Sequence, residues 1–170
     1  KRRLGPPVQR QFRIGYASEA RNGLKEFLAG KGVPLEAMIE AGLLVSGDDV
    51  PVAFDRFRDR VIFPIADFRG RTVGFGGRTL SADVPAKYLN SPETPLFHKG
   101  ALLYNGAEAR KAAHEAGTVV AVEGYVDAIA MSVAGFPHTV APLGTALTDT
   151  QLELLWRMAP EPILCFDGDG

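Results

Sequence analysis

Apolar strand-like runs alternate with helical segments between residues 106 and 166, and this alternation constrains the fold more than any other feature. The runs are TVVAV at 118–122, HTVA at 138–141 and ILCF at 163–166. Helical patterns occupy 106–116, 125–134 and 149–158, and the last of them follows the capping-box sequence TDTQ at 148–151. A β-α-β-α-β order predicts a parallel, doubly wound sheet over residues 101–170.

The first 100 residues follow a different pattern, in which short helices are followed by a β-hairpin. We expect a linker-like tail at 1–8, a helix that starts at Ser18 and ends at Gly30, and a second helix from Pro34 to Ala41. The hairpin is predicted at 60–66 and 71–78, around a DFRG turn at 67–70. The sequence therefore predicts an α+β N-terminal subdomain over residues 1–100.

Acidic residues follow two of the predicted strands. Glu123 comes directly after the first strand, and Asp167 and Asp169 come directly after the third. The carboxyl ends of parallel strands meet at one edge of a sheet, where ligand sites lie. Converging carboxylates repel one another, and a hard divalent cation relieves this repulsion. The DGD sequence alone also suits an ordinary surface turn, so the metal-site prediction depends on its pairing with Glu123.

Charge is distributed unevenly along the chain. Residues 1–100 carry sixteen Lys and Arg against eleven Asp and Glu, whereas residues 101–170 carry three against nine. A basic N-terminal part and an acidic C-terminal part suit a protein that holds a polyanion on one surface and cations on another. Arg56, Arg58 and Arg60 stand at alternate positions, so in an extended chain they would share one face.

Several protein classes are excluded or disfavoured by composition. The single cysteine, Cys165, excludes a disulfide or a cysteine-based zinc site within these residues. No apolar run reaches membrane-spanning length and no secretory signal is present, so we expect a cytoplasmic protein without membrane contact. We interpret Cys165 as a buried strand residue and Trp156 as core packing on the last helix.

Two groups of sequence blocks resemble known families. EGYVD at 123–127 with DGD at 167–169 resembles the toprim domain shared by topoisomerases, bacterial primases and certain nucleases. Further blocks look like the successive signatures of bacterial DNA primases: RFRDRVIFPI at 56–65, GFGGR at 74–78, KYLNSPET at 87–94, FHKG at 97–100 and LGT at 143–145. The ordered set is far more specific than any block alone.

The resemblance to bacterial DNA primases implies the fold class and the activity. The fold would be α/β: an α+β N-terminal subdomain with a β-hairpin, then a Rossmann-like toprim βαβαβ sheet of which residues 101–170 are the first part. The activity would be synthesis of short RNA primers from NTPs on a single-stranded DNA template during replication. The resemblance also implies Mg²⁺ or Mn²⁺, with two or more ions, and contact with the replicative helicase through a region outside residues 1–170.

Residue roles follow from the same resemblance. Glu123, Asp167 and Asp169 would be catalytic and would hold the metal ions, with Glu123 acting as ligand or as general base. Asp127, four residues after Glu123, would orient the site from one helical turn away. The template strand, the RNA primer or NTPs would contact residues in the upstream blocks: Arg78, Lys87, Tyr88, Asn90 and Lys99, with Arg56 and Arg58 as weaker candidates because Asp55 or Asp59 could pair with them.

Two departures from the family pattern are visible. The family's N-terminal zinc-binding domain is not within these residues, and its remaining toprim strands would lie beyond Gly170. An isolated piece of this kind need not be catalytic. Two other hypotheses compete with primase: another toprim enzyme, such as a nuclease or topoisomerase, and a nucleic-acid-binding module without catalysis.

Overall fold

The computed structural model describes residues 4–81, 86–144 and 146–168. Its helices and strands follow one another in this order: α1 (Pro6–Gln11), β1 (Gly15–Ala17), α2 (Gly23–Gly30), α3 (Leu35–Glu40), β2 (Leu44–Gly47), β3 (Val50–Asp55), β4 (Arg60–Ala66), β5 (Thr72–Thr79), β6 (Tyr88–Asn90), a 3₁₀ turn (Lys99–Ala101), β7 (Leu103–Tyr104), α4 (Gly106–Ala116), β8 (Thr118–Val122), α5 (Tyr125–Val133), β9 (Thr139–Pro142), α6 (Asp149–Met158) and β10 (Glu161–Cys165). The predicted α/β class is confirmed.

The chain divides into two compact units that are interleaved along the sequence. The antiparallel-sheet unit comprises residues 13–64 and 74–97, and the parallel-sheet unit comprises residues 1–12, 65–73 and 98–170. The domain boundary expected between residues 100 and 101 stays a prediction. Among the described residues, no helix is both long and apolar enough to cross a membrane.

In the antiparallel-sheet unit, the strands follow the order β1-β4-β5-β6. β1 runs antiparallel to β4 with Gly15 opposite Ile62, and β5 runs antiparallel to β6 with Gly76 opposite Asn90. β2 and β3 form a separate two-stranded sheet. The predicted hairpin corresponds to β4 and β5, whereas β6 falls in a segment that the sequence pattern indicated as loop.

The turn of the hairpin is held by the side chain of Asp67. Its carboxylate accepts hydrogen bonds from the N–H of Arg69 and from the N–H and Nε of Arg71, at 2.8–3.0 Å. Burial raises the pKa of the Asp67 carboxyl, but the hydrogen bonds from Arg71 and Arg69 outweigh burial and leave that pKa below its ordinary value. Gly70 closes the turn with φ +79°, a conformation that a glycine adopts without strain.

Glycines in β5 allow two aromatic side chains to pack against the strand. A Cβ at Gly74 would come within 2.5 Å of the Phe97 ring, and one at Gly77 within 2.8 Å of the Phe57 ring. Phe97 is fully buried and Phe57 nearly so. The GFGGR block therefore has a packing role, because a larger residue at either glycine would displace a core aromatic.

The start of α2 differs from the prediction. The helix begins at Gly23 and not at Ser18, because the side chain that caps it belongs to Asp55 of β3 and not to a residue just before the helix. The buried carboxylate of Asp55, at the end of β3, accepts hydrogen bonds from Leu24 N at 2.7 Å and from Lys25 N at 3.0 Å. These are amide groups that the first turn of a helix leaves without a partner, so Asp55 does the work expected of an N-cap.

The tail predicted at 1–8 is partly helical, which corrects that prediction. Residues 1–3 lie outside the described residues, and α1 begins at Pro6. Proline is compatible with the first turn of a helix because it lacks only an N–H that would have no helical partner there.

In the parallel-sheet unit, the sheet order is β10-β8-β9-β7. β8 runs parallel to both neighbours, with Val120 opposite Ile163 on one side and Thr139 on the other. β7 adds a short antiparallel edge that the sequence pattern did not indicate. One buried cluster unites the sheet with α4 and α6: Leu103, Ala109, Ala113, Val119, Ala121, Val140, Leu155, Met158 and Ala159.

The residues interpreted as core on α6 and β10 are exposed, which corrects two predictions. The side chain of Trp156 is 63% exposed, and Cys165 is exposed as well. Within the described ranges β10 pairs only with β8 and stands at the edge of the sheet. Ile163, Leu164 and Phe166 are also exposed. The ILCF run therefore has the composition of a buried strand in an exposed position.

Candidate active site

The two described acids of the predicted metal site meet at the carboxyl edge of the parallel sheet. Val122 and Cys165 are opposite each other in the last register pair of β8 and β10, so the two strands end level. Glu123 and Asp167 follow within two residues, and the N–H of Asp167 donates to Glu123 Oε1 at 3.0 Å. Parallel pairing thus brings together side chains that are distant in sequence.

Asp127 lies on the helix that begins directly after Glu123 and Gly124. Gly124 is the N-cap of α5, and Asp127 is in the first turn of that helix. A Cβ at Gly124 would be 3.4 Å from Asp127 Oδ2, an ordinary contact distance, so the Asp127 carboxylate lies close to the backbone of the residue that follows Glu123. The orienting role of Asp127 stays a prediction.

A cavity opens at the same edge of the sheet. Its volume is about 550 Å³, and it is lined by Glu123, Pro142, Gly144, Ala146, Leu147 and Phe166. These residues follow or end β8, β9 and β10. A ligand in this space would lie against the Glu123 carboxylate. Thr145, in the LGT block, is outside the described residues.

The donor set suits a hard cation. Glu123 and Asp167 are both exposed, and within the described residues neither forms an ion pair with a lysine or arginine. Carboxylate oxygens open to water are the ligands that Mg²⁺ uses in proteins. At this edge of the sheet we identify two such carboxylates, those of Glu123 and Asp167, and no group of three or more His, Cys, Asp and Glu residues able to hold a metal ion is found among the described residues. Asp169, the third predicted ligand, lies outside the described residues.

Four of the predicted nucleic-acid contacts lie on or next to the β5–β6 strand pair of the antiparallel-sheet unit. Arg78 and Tyr88 are opposite each other in the β5–β6 pair, and the Arg78 guanidinium lies 5.4 Å from the centre of the Tyr88 ring. Lys87 is exposed and directly precedes Tyr88, which is 50% exposed. Asn90 ends the same short strand. A cation, an aromatic face and a second cation are therefore adjacent on one exposed strand pair.

Arg58 does not share the surroundings of Arg56 and Arg60, which corrects the expectation that all three project from one face. Arg56 Nε donates to Asn90 O at 3.1 Å and Arg60 Nη1 donates to Lys87 O at 3.2 Å, whereas the Arg58 guanidinium lies 5.0 Å from the centre of the Phe54 ring. The chain is not extended between Arg58 and Arg60, because Asp59 has φ +48°. Burial lowers the pKa of Arg56 below its ordinary value.

The local carboxylates considered as partners of these arginines have other partners. Asp55 accepts the N–H groups of α2, and Asp59 Oδ1 accepts a hydrogen bond from the Tyr16 hydroxyl at 2.5 Å.

Sequence reasoning missed a contact network around Lys99. The buried amide of Gln151 donates to Lys99 O at 3.0 Å and to Leu102 O at 2.9 Å, while Thr148 Oγ1 donates to Gly100 O at 2.6 Å. The TDTQ sequence showed that these residues cap α6, and the structure confirms the capping box. Nothing in the sequence indicated the additional contacts, which join residues 48–52 positions apart.

The fold and the acidic edge define a class of protein. The toprim family model matches residues 117–170, the segment that contains the strand ends where Glu123 and Asp167 are hydrogen-bonded. The model described as "DNA primase catalytic core, N-terminal domain" matches residues 1–110. The chain belongs to the bacterial DNA primase family. Toprim primases are generally metal-dependent.

Curated relatives support this assignment along the whole chain. The DNA primase of Pseudomonas aeruginosa is 47% identical over 168 residues, which cover 99% of this chain and 25% of that protein. The DNA primase of Escherichia coli K12 is 44% identical over 169 residues, which cover 99% of this chain and 29% of that protein. The matched part of the chain thus spans between 25% and 29% of the length of these relatives.

Solved structures of DNA primase domains also match almost the whole of this chain. A DNA primase domain from Pseudomonas aeruginosa matches with a TM-score of 0.91 and 47% identity, covering 99% of this chain and 52% of that one. A DnaG primase catalytic domain bound to single-stranded DNA matches with a TM-score of 0.88 and 44% identity, and the match covers 99% of this chain and 52% of that one.

Proposed function

We propose that this chain provides the template-binding and first acidic parts of a DNA primase catalytic core, which synthesises short RNA primers from NTPs on single-stranded DNA. The observation that carries the proposal is the Asp167 N–H to Glu123 Oε1 hydrogen bond, beside a cavity of about 550 Å³. The family assignment supports primase over another toprim enzyme or a non-catalytic module, because the match over residues 1–110 is to a primase-specific domain.

In the proposed reaction, the 3′-hydroxyl oxygen of the primer attacks the α-phosphorus of an NTP. A new phosphodiester bond forms, the bond to the bridging oxygen breaks, and pyrophosphate leaves with the electron pair. Two bound Mg²⁺ or Mn²⁺ ions would activate the attacking oxygen and stabilise the negative charge that develops on the leaving oxygen. Glu123, Asp167 and Asp169 would hold these ions, with Glu123 as a ligand or as the base that accepts the hydroxyl proton.

The cationic residues would hold the nucleic acid and the nucleotide. Lys87 and Arg78 would contact phosphates, Tyr88 would stack on a base or sugar, and Asn90 would add a polar contact. Lys99 would contact NTP phosphates from the parallel-sheet unit. Arg56 and Arg58 are weaker candidates, since a carbonyl and an aromatic ring already engage them. The RNA primer is a further partner, and the helicase would bind through a region outside residues 1–170.

The test is primer synthesis by a full-length primase that carries this sequence. We expect NTP incorporation on single-stranded DNA by the unaltered protein and its loss in Asp167→Asn. Asp49→Asn is the matched control, because Asp49 is an exposed acid beside the β2–β3 turn. Full incorporation by a folded Asp167→Asn protein would contradict the site assignment. Cleavage of DNA in place of synthesis would favour a nuclease.

A further inference from the structure

The N-terminal cap of α6 also contacts the turn that carries Lys99. Gln151 is 1% exposed, and each hydrogen-bonding atom of its amide is used. Oε1 accepts from Thr148 N at 3.1 Å, while Nε2 donates to Lys99 O at 3.0 Å and to Leu102 O at 2.9 Å. A capping box needs only the acceptor of this side chain. The two donated bonds therefore serve the turn and not the helix.

The hydroxyl of Thr148 is shared in the same way. It accepts from Gln151 N at 3.1 Å as the helix cap, and it donates to Gly100 O at 2.6 Å. The carbonyls of Lys99, Gly100 and Leu102 are thus held by two side chains of a single capping box. We call these three contacts the cap–turn clamp.

The cap–turn clamp is continuous with the proposed active site. Ala146 and Leu147 line the cavity beside Glu123, and Thr148 is the next residue in the chain. One short segment therefore forms a wall of the cavity and then fixes the backbone from which the Lys99 side chain starts. A buried amide that bonds two carbonyls restricts the backbone, and this restriction lowers the entropy lost when Lys99 engages a ligand.

We propose that Gln151 is a positioning residue for nucleotide binding: through the cap–turn clamp it holds Lys99 where its ammonium group meets the phosphates of the incoming NTP. The inference rests on the proposed primase function. Gln151 itself touches neither nucleotide nor metal, so it acts only through the turn.

The central variant is Gln151→Glu. Glutamate keeps the acceptor that caps Thr148 N, but it places an acceptor-only group against the carbonyls of Lys99 and Leu102. In the full-length enzyme we expect KM for the NTP to rise about tenfold, equivalent to roughly 1.4 kcal/mol, with a much smaller change in kcat. The dissociation constant for a fluorescent ATP analogue should rise by the same factor. Glu153→Gln, on the exposed face of α6, is the control and should change neither value.

A double-mutant cycle with Lys99→Ala separates positioning from direct repulsion by the new carboxylate. If Gln151 acts through Lys99, Gln151→Glu should raise KM in the parent and leave it nearly unchanged in the Lys99→Ala background. Equal effects in both backgrounds would overturn the proposal. Gln151→Met, which removes the contacts without adding charge, repeats the cycle. Thr148→Ala replaces either variant that loses the circular dichroism spectrum of the parent.

The outcomes distinguish this inference from the proposed function. A parent enzyme that makes no primers would contradict the function itself. An active parent whose Gln151→Glu and Gln151→Met variants keep the parent KM and nucleotide affinity would contradict only the role of Gln151.

Discussion

Glu123 and Asp167 are 44 positions apart, yet the main-chain N–H of Asp167 donates to the Glu123 carboxylate at 3.0 Å. This bond links the chain after β8 to the chain after β10. It also leaves lone pairs on both Glu123 oxygens, because each carboxylate oxygen can accept more than one contact. Glu123 can therefore stabilise the loop and still bind a cation.

A pair of substitutions separates these two roles of Glu123. Glu123→Gln keeps an oxygen for the Asp167 N–H but loses the charge, so we expect Mn²⁺ or Mg²⁺ affinity to fall at least about tenfold with the fold unchanged. Glu123→Ala loses both and should also lower the thermal midpoint. Titration calorimetry and circular dichroism measure the two effects. Glu115→Gln, an exposed helix position, is the control, and parent-like metal affinity in Glu123→Gln would refute the ligand role.

Asp169→Asn tests the acid that lies outside the described residues. If three carboxylates converge, this neutral substitution should weaken metal binding and abolish primer synthesis in the full-length protein while leaving the circular dichroism spectrum intact. A folded variant with unchanged metal affinity would remove Asp169 from the ligand set.

The two lysines of the primase blocks are expected to act on phosphate and not on metal. Lys87→Ala and Lys99→Ala should weaken binding of single-stranded DNA or nucleotide, and each lost strand contact should reduce the slope of log K against log salt by roughly 0.7. Metal affinity should not change. Lys111→Ala is the control, since Lys111 is 87% exposed on α4. Parent affinity and salt slope in both variants would make these lysines ordinary surface charges.

Asp55 should matter for stability because its carboxylate caps α2 from another strand. Asp55→Ala removes two hydrogen bonds to helix N–H groups and should lower the free energy of unfolding by about 1–3 kcal/mol. Asp55→Asn retains an acceptor and should cost less. Urea denaturation compares them. Equal stability of Asp55→Ala and the parent would show that α2 does not need this cap.

The apolar edge formed by β10 predicts how a polypeptide limited to residues 1–170 behaves. Ile163, Leu164 and Phe166 are exposed on an edge strand, which favours strand pairing between molecules. We expect this polypeptide to self-associate in size-exclusion chromatography and to be inactive. A longer chain with the family's remaining toprim and helical elements should be monomeric and should extend a primer. A monomeric, active 170-residue polypeptide would contradict both expectations.

The elements that sequence predicted well are those whose determinants are local. The periodic runs of β8, α4 and α6 and the capping box at Thr148 correspond to the observed elements, because patterning and capping act over a few residues. The parallel order of the sheet also placed Glu123 near Asp167, since strand ends converge whatever the intervening sequence.

The failures involve contacts between distant residues. The start of α2 depends on Asp55, which lies 31 positions from Leu24 and 30 positions from Lys25 in the sequence. Trp156 and Cys165 are residue types that are often buried, yet both are exposed. Whether such a residue is exposed depends on which other elements pack over it, and its residue type alone does not determine that. The second role of Gln151 likewise depends on a turn 52 positions earlier.

The interleaving of the two units limits how this region can be rearranged in evolution or by engineering. Residues 65–73, the end of the β4–β5 hairpin, belong with 98–170, whereas the hairpin residues on either side belong with 13–64 and 74–97. No single breakpoint in the gene separates one unit whole from the other. A recombination event that exchanges the acidic sheet would have to carry the hairpin tip with it, so the two units should be inherited as one module.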